Sequence, residues 1–257
     1  MAPDQHRTTT RVLDILEWVA ASTAGMTLAE LAQTLDAPKS SLFPIVHTLE
    51  GRRYLRQLGS TGRYVIGPEP LALGAAFSTK KEIEMLGQIM NDISERCQET
   101  CQLGILDRGH VLYIKKKDSP LPIRMISTVG TRLPANATAL GKALLSSLTD
   151  EQVRGLFPDG LPALTAQTIT DPEALLAQLH AIRTGAIAME WEESTDQLAC
   201  WAVPLWHQGK VFAAFSVSVP VYRCQEDKIA LVRQCLLDAQ AQVERLPGDL
   251  DLAAFRE

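Results

Sequence analysis

The tightest constraint on this chain lies in its first 67 residues, where helix start and stop signals follow one another closely and end in a strand–turn–strand pattern. Thr27 followed three residues later by Glu30 has the spacing of a capping box, which opens a short helix carrying Leu28, Ala29, Leu31 and Ala32. Upstream, Val12, Leu13, Leu16, Val19 and Ala20 recur at spacings of three and four, predicting an amphipathic helix over 9–21 with threonines 8–10 as caps and Gly25 as its stop. Downstream, Leu35-Asp36-Ala37-Pro38 reads as a turn. A third helix then carries Leu42, Ile45, Val46 and Leu49 inward and ends near Gly51. Tyr54-Leu55-Arg56 and Arg63-Tyr64-Val65-Ile66 flank Gly59-Ser60-Thr61-Gly62, which predicts a hairpin. Three helices with a short turn between the second and third, followed by a hairpin, describe a winged helix-turn-helix.

That scaffold points to double-stranded DNA as a partner. The third helix would enter the major groove and present Lys39, Ser40, Ser41 and His47, while Arg63 on the wing and Arg11 on the first helix would meet phosphates. The alternative is a three-helix packing module with no ligand. Pro44 interrupts the third helix, and a proline in a helix interior costs about 3 kcal/mol. The expectation is a late start with Ser41 as N-cap, so that Pro44 falls at the third helical position, where its missing N–H costs nothing. A kink is the other solution.

Net charge is −5 over 257 residues, which weighs against nucleic acid until the chain is divided. Residues 1–67 carry seven basic and six acidic side chains; the remainder carries 18 and 24, so the acidity belongs to the second part. A near-neutral domain can bind DNA if its basic groups share a face. The length suits two modest domains. Hydrophobic residues at 46% and charged residues at 21% are globular values, and no apolar run approaches membrane-spanning length. The opening residues MAPDQHRTTT have neither an apolar core nor a cleavage site, so a cytoplasmic location is expected. Five scattered cysteines (97, 101, 200, 224 and 235) predict reduced thiols, with no metal site and no cofactor.

From Gly67 to about residue 80 an Ala/Leu-rich stretch predicts a linker helix, assigned to 68–81, more apolar than a solvated connector requires. Such a surface favours packing on a second subunit, with packing on its own domain as the alternative. The rest, 82–257, alternates helices with hairpins. Helices are expected over 82–99, 139–147, 172–184 and 225–245, with a short one over 150–156. Strands are expected over 101–107, 111–116, 124–127, 186–190, 200–206 and 211–219, with tight turns at Arg108-Gly109-His110 and His207-Gln208-Gly209-Lys210. The fold class is therefore α+β, an antiparallel sheet covered by helices. Ser216 and Ser218 are two apart on one strand, so both hydroxyls face the same side, an arrangement able to bind a carboxylate or carbonyl.

Several motifs together resemble the IclR family of transcriptional regulators. In the first domain these are Met26-Thr27-Leu28-Ala29-Glu30-Leu31-Ala32, Ala37-Pro38-Lys39-Ser40-Ser41, Leu49-Glu50 and Gly62-Arg63-Tyr64-Val65-Ile66-Gly67-Pro68. In the second they are Gly130-Thr131-Arg132-Leu133-Pro134 continuing to Gly141-Lys142-Ala143-Leu144-Leu145, Leu164-Thr165 with Thr168-Ile169-Thr170-Asp171, and Glu192-Glu193-Ser194 with Cys200, Ala202 and Pro204. The resemblance implies a GAF-like sensor domain and homodimers or tetramers on operator DNA. It further implies an effector site built from Leu133, Asn136, Ala137, Leu140, Gly141, Glu190, Leu198, Cys200, Ser216 and Ser218. The Leu133–Gly141 loop would close over the effector, and the amides that open the next helix would receive an anion. Two departures from the family stand out. Pro44 occupies a position where the family commonly has arginine or another polar residue. Gln197 stands where glycine is common, and with Trp191 and Trp201 it predicts an effector larger or more aromatic than a two-carbon acid.

The function expected is that of an effector-responsive regulator of a catabolic operon, sensing a carboxylate-bearing metabolite. The alternatives are an enzyme using His110, His180 or His207 as base and Cys200 as nucleophile, and a sensor that binds only protein. No nucleophile–base motif, P-loop or dinucleotide glycine pattern supports the enzyme. Glu192-Glu193, as neighbours in a loop, are expected to be solvated.

Overall fold

A computed structural model describes residues 6–78, 81–125 and 128–246. The chain divides into two units, Met1–Thr79 and Lys80–Glu257.

In the first unit α1 (Arg7–Ala21), α2 (Leu28–Thr34) and α3 (Lys39–Gly51) pack over a small sheet of β1 (Met26–Thr27), β2 (Leu55–Gln57) and β3 (Arg63–Ile66), in the order β1-β3-β2. The capping box forms: the Thr27 amide donates to Glu30 Oε2 at 2.7 Å and the Glu30 amide to Thr27 Oγ1 at 3.2 Å. Ile15, Val19, Leu31, Leu42, Val46 and Leu55 close the core, each worth about 1.5–3 kcal/mol of burial. Strand β1 was not foreseen, because two residues carry no periodicity. It pairs Met26 with Tyr64 and Thr27 with Arg63. Gly25, just before it, takes φ +74, and a Cβ there would lie 2.6 Å from the Tyr64 carbonyl oxygen.

The late start of the third helix does not occur. Helix α3 begins at Lys39 with Pro38 as N-cap, and Pro44 lies inside it, at the sixth position. Ser41 does not cap the helix in the expected way; its hydroxyl donates back to the Pro38 carbonyl at 2.8 Å. Pro38 itself supplies the start, since its fixed φ of −58 leads into the first turn.

Helix α4 (Glu69–Ser78) ends the first unit's described part. The second unit opens with α5 (Lys81–Cys97) and is built on a six-stranded antiparallel sheet. Its strands are β4 (Thr100–Asp107), β5 (His110–Lys117), β6 (Arg132–Pro134), β7 (Ala188–Trp191), β8 (Leu198–His207) and β9 (Lys210–Pro220), ordered β6-β5-β4-β9-β8-β7. Both foreseen tight turns form with left-handed residues, Arg108 and Gly109 at φ 47 and 81, Gln208 and Gly209 at φ 49 and 72. The strand expected over 124–127 is corrected. Arg124 and Met125 lie outside any strand, and 126–127 fall outside the described residues. The edge strand is instead β6, which pairs Leu133 with Val111.

One sheet face packs on α5 and on the closing helix α9 (Glu226–Glu244), through Leu86, Met90, Leu236 and the inward-facing Phe215 and Val217. The other carries α6 (Ala139–Leu145), with α7 (Asp150–Leu156) and α8 (Pro172–Arg183) beyond it. Glu99, fully buried, receives two hydrogen bonds from Arg223 at 2.8 and 2.6 Å and ties the head of β4 to the segment after β9.

Candidate effector site and nucleic-acid interface

The face beneath α6 holds the polar residues. Register places Gln102 opposite Ser216, Ser218 opposite Cys200, and Cys200 opposite Glu190. Because alternate strand residues share a face, Gln102, Ser216, Ser218, Cys200 and Glu190 form one row across four strands. Both serine hydroxyls donate to Gln102 Oε1, at 3.1 and 3.0 Å. Cys200 Sγ lies 3.2 Å from Ser218 Oγ. Glu190 Oε2 accepts the Glu193 amide at 2.8 Å, and its Oε1 accepts the Ser194 hydroxyl at 2.8 Å. Every member of the row is buried.

Burial sets the protonation of this row. It pushes the Glu190 carboxyl above its ordinary value, outweighing the hydrogen bonds from Cys200, Ser194 and the Glu193 amide. It drives the Cys200 thiol well up, with the neighbouring Glu190 charge adding to the effect. Tyr113, opposite Gly104 on β5, is raised by burial and then by Cys200 and Glu190, so its phenol stays protonated beside them.

Lys142 on α6 is fully buried, and its Nζ lies 2.5 Å from Glu193 Oε1 and 3.3 Å from the Met189 carbonyl oxygen. Desolvation lowers its pKa while Glu193 and Glu190 oppose that shift. The expectation that Glu192 and Glu193 are solvated is therefore corrected for Glu193, which is buried. The loop is docked rather than free: Thr165 Oγ1 donates to the Glu192 carbonyl and Thr168 Oγ1 to the Glu193 carbonyl, both at 2.6 Å. These threonines belong to the segment 164–171, so two sequence motifs far apart in the chain fasten one another.

Other foreseen residues fall as follows. Leu133 is on β6, Leu140 on α6 and Leu198 on β8, all packed in the cluster around α6. Asn136 is buried, and its Nδ2 donates to the Pro162 and Ile169 carbonyls at 3.0 Å each, which pins the loop before α8. Ala137 is buried beside it. At Gly141 a Cβ would lie 2.0 Å from the Ala135 carbonyl oxygen, so glycine permits α6 to pack on the preceding turn. Its amide donates to Thr138 Oγ1 at 2.9 Å, which corrects the idea that this amide is open to an anion.

Gln197 is exposed with φ +61, and its Nε2 donates to Glu192 Oε1 at 3.0 Å, so it does not fill the site. Trp201 sits opposite Val217, on the face away from the serines, and meets Trp191 edge-on at 6.5 Å. The two tryptophans therefore do not line the site; the aromatic ring beside Cys200 and Glu190 is Tyr113. Sequence reasoning missed Gln102, Tyr113 and the role of Lys142, because no local spacing links them to the serines.

On the first unit, Lys39, Ser40 and His47 are exposed on the outer side of α3, whereas Ser41 is half-buried. Arg11 is half-buried on α1. Arg63 is engaged within its own unit: Nη2 lies 2.8 Å from Glu30 Oε1, and Nη1 donates to the Gly25 carbonyl at 2.7 Å. Arg56 on β2 is exposed. Among the described residues no group of three His, Cys, Asp or Glu is placed to hold a metal, and no helix is long and apolar enough to cross a membrane.

A winged helix-turn-helix joined to an α+β domain with a buried polar row defines a ligand-responsive DNA-binding regulator. Residues 8–59 match the model of the IclR helix-turn-helix domain, and residues 76–245 match that of the bacterial transcriptional regulator IclR C-terminal domain. The chain belongs to the IclR family of transcriptional regulators; it is a regulator and not an enzyme. It is 29% identical to the transcriptional repressor IclR of Escherichia coli over 254 residues, covering 97% of this chain and 93% of the relative. An IclR transcriptional regulator from Alicyclobacillus acidocaldarius superposes with a TM-score of 0.83 at 23% identity, covering 93% of this chain and 98% of the other. An IclR homologue from Microbacterium hydrocarbonoxydans, solved in complex with 4-hydroxybenzoate, superposes with a TM-score of 0.73 at 23% identity, covering 91% and 98%.

Proposed function

We propose that this regulator senses a small carboxylate-bearing metabolite at the row Gln102–Ser216–Ser218–Cys200–Glu190 and controls a catabolic operon through α3. The observation that carries the reading is the convergence of two serine hydroxyls, a thiol and a carboxyl raised toward its neutral form on one buried face. Neutral donors suit a carboxylate here, because the nearby cation, Lys142, is already held by Glu193. Gln102 Oε1 takes both serine hydrogen bonds, so an effector oxygen must compete with that amide. Gln197, Trp191 and Trp201, the three residues that suggested a bulky aromatic effector, all face elsewhere. Tyr113 and the 4-hydroxybenzoate bound by the Microbacterium homologue keep aromatic acids among the candidates.

Effector binding would act by population shift, favouring one arrangement of the DNA-binding units over another. Leu71 and Leu73 on α4 are exposed at 76% and 61%, which supports a homodimer or tetramer sealed partly along that helix. The test is a gel shift on the chain's own upstream intergenic DNA, with and without pyruvate, glyoxylate and aromatic carboxylates. Retardation that one of these acids changes is the expected result. No retardation of that fragment under any condition would remove the operator reading, and retardation indifferent to every acid would remove the carboxylate reading.

A further inference from the structure

We infer that α3 reads its operator through an apolar patch, the Phe43 ring and the Pro44 pyrrolidine seating against thymine C5-methyl groups in the major groove. The inference rests on α3 being the helix that enters the groove.

The helix itself restricts the commoner solution to Lys39. Bidentate reading of purine edges needs Arg or Lys on guanine and Asn or Gln on adenine. The segment 39–51 contains no arginine, asparagine or glutamine, and its one lysine, Lys39, is at the first position. Leu42, Val46 and Leu49 are buried in the core, so the outward side consists of Lys39, Ser40, Phe43, Pro44, His47 and Thr48. Two hydroxyls of the helix are turned onto its own backbone, Ser41 to the Pro38 carbonyl at 2.8 Å and Thr48 to the Pro44 carbonyl at 2.7 Å. The middle of the outward side is therefore carbon apart from the His47 imidazole, which is stacked on Phe43.

Phe43 is 54% exposed within its unit, an unusual position for a large ring. It is also held in place. Its ring stacks on His47 with centroids 5.7 Å apart and planes 7° from parallel, and His47 Nδ1 lies 3.7 Å from Glu50 Oε2. A fixed apolar ring and a fixed pyrrolidine, flanked by Lys39 and Ser40 for the phosphates, offer the chemistry that recognises the one methyl group in the major groove, that of thymine.

The test uses the full chain. A random-sequence duplex pool is selected for binding, and the recovered duplex is then compared with copies in which uracil replaces each thymine in turn, which removes only the methyl. One buried methyl is worth about a fourfold change in affinity. Wild type is expected to lose about fourfold at one or two thymines, Phe43→Ala to lose the discrimination at the thymine under the ring, Phe43→Leu to keep part of it, and Phe43→Ala combined with Pro44→Ala to bind thymine and uracil copies alike. Because the ring is exposed, the variants keep the wild-type circular dichroism spectrum. A wild type indifferent to every uracil, a Phe43→Ala, Pro44→Ala double variant that still discriminates like wild type, or a selection with no thymine preference would overturn the inference. Lys39→Ala separates the two readings. If it weakens binding while uracil changes nothing, only the methyl contact fails; if neither it nor Phe43→Ala alters binding, α3 is not the helix in the groove.

Discussion

Lys142 Nζ and Glu193 Oε1 meet at 2.5 Å in the interior of the second unit, the lysine on α6 and the glutamate in the loop after β7. Fifty-one residues separate them in sequence, and the contact joins the Gly141-Lys142 motif to the Glu193-Ser194 motif. Removing one partner leaves a buried charge without its counter-ion, which costs about 3–5 kcal/mol. Lys142→Met and Glu193→Gln are each expected to lower the unfolding midpoint by roughly 10 °C, and the double substitution to recover most of the loss. Differential scanning calorimetry of the three variants checks this. Single variants that unfold like wild type would show that the pair adds nothing.

The fold was legible where the chain repeats short-range signals, and the site was legible where it lies on one strand. The capping box at Thr27 and the two left-handed turns are local, so the sequence held them completely. That Ser216 and Ser218 share a face of the sheet follows from their spacing alone. Gln102, 114 residues from Ser216, was not, because only the pairing of β4 with β9 brings them together. Glu193 misled for a related reason: neighbouring acids in a loop are commonly solvated, and the docking of Thr165 and Thr168 that buries this loop is a tertiary event. Gln197 was assigned to the site because a glycine is common there, yet the backbone conformation, φ +61, is what the position demands.

The serine pair makes a direct prediction for effector binding. A hydrogen bond to a charged acceptor is worth about 1.5–3 kcal/mol, so Ser216→Ala or Ser218→Ala should weaken a carboxylate effector at least tenfold. Gln102→Ala should do the opposite, tightening binding by about fivefold, since the effector no longer displaces an amide worth ~1 kcal/mol. Isothermal titration calorimetry on the three variants checks the signs, and a loss of affinity in Gln102→Ala would mean that the amide holds the effector rather than competing with it.

Glu190 ties both stability and binding to pH. Its folded pKa is raised above the ordinary 4.5 by burial. Below 4.5 both states are protonated, and the contribution to stability is fully present. As pH rises through the raised value the folded state holds a proton that the unfolded chain has released, so stability falls. Glu190→Gln lacks this titration and should show the flatter profile across that window in urea titrations at stepped pH. A carboxylate effector should also bind more weakly as pH climbs through the same window, because the protonated Glu190 turns from donor to like charge. In Glu190→Gln that dependence should vanish.

Pro44 offers the last test, on the DNA-binding unit alone in its effect. At the sixth position of α3 it has no N–H for the Ser40 carbonyl, and its ring crowds that oxygen. Pro44→Ala restores the donor and should stabilise the helix by about 1–3 kcal/mol, visible as a higher unfolding midpoint. The control is Thr27→Ala, which removes the cap of α2 and should cost about 1 kcal/mol. A proline kept at a cost in stability, on the outward side of the helix beside Phe43, is accounted for if its ring touches DNA. The more stable Pro44→Ala protein should then discriminate less well between its selected duplex and random duplex of the same length. Equal discrimination together with higher stability would assign the proline no part in recognition.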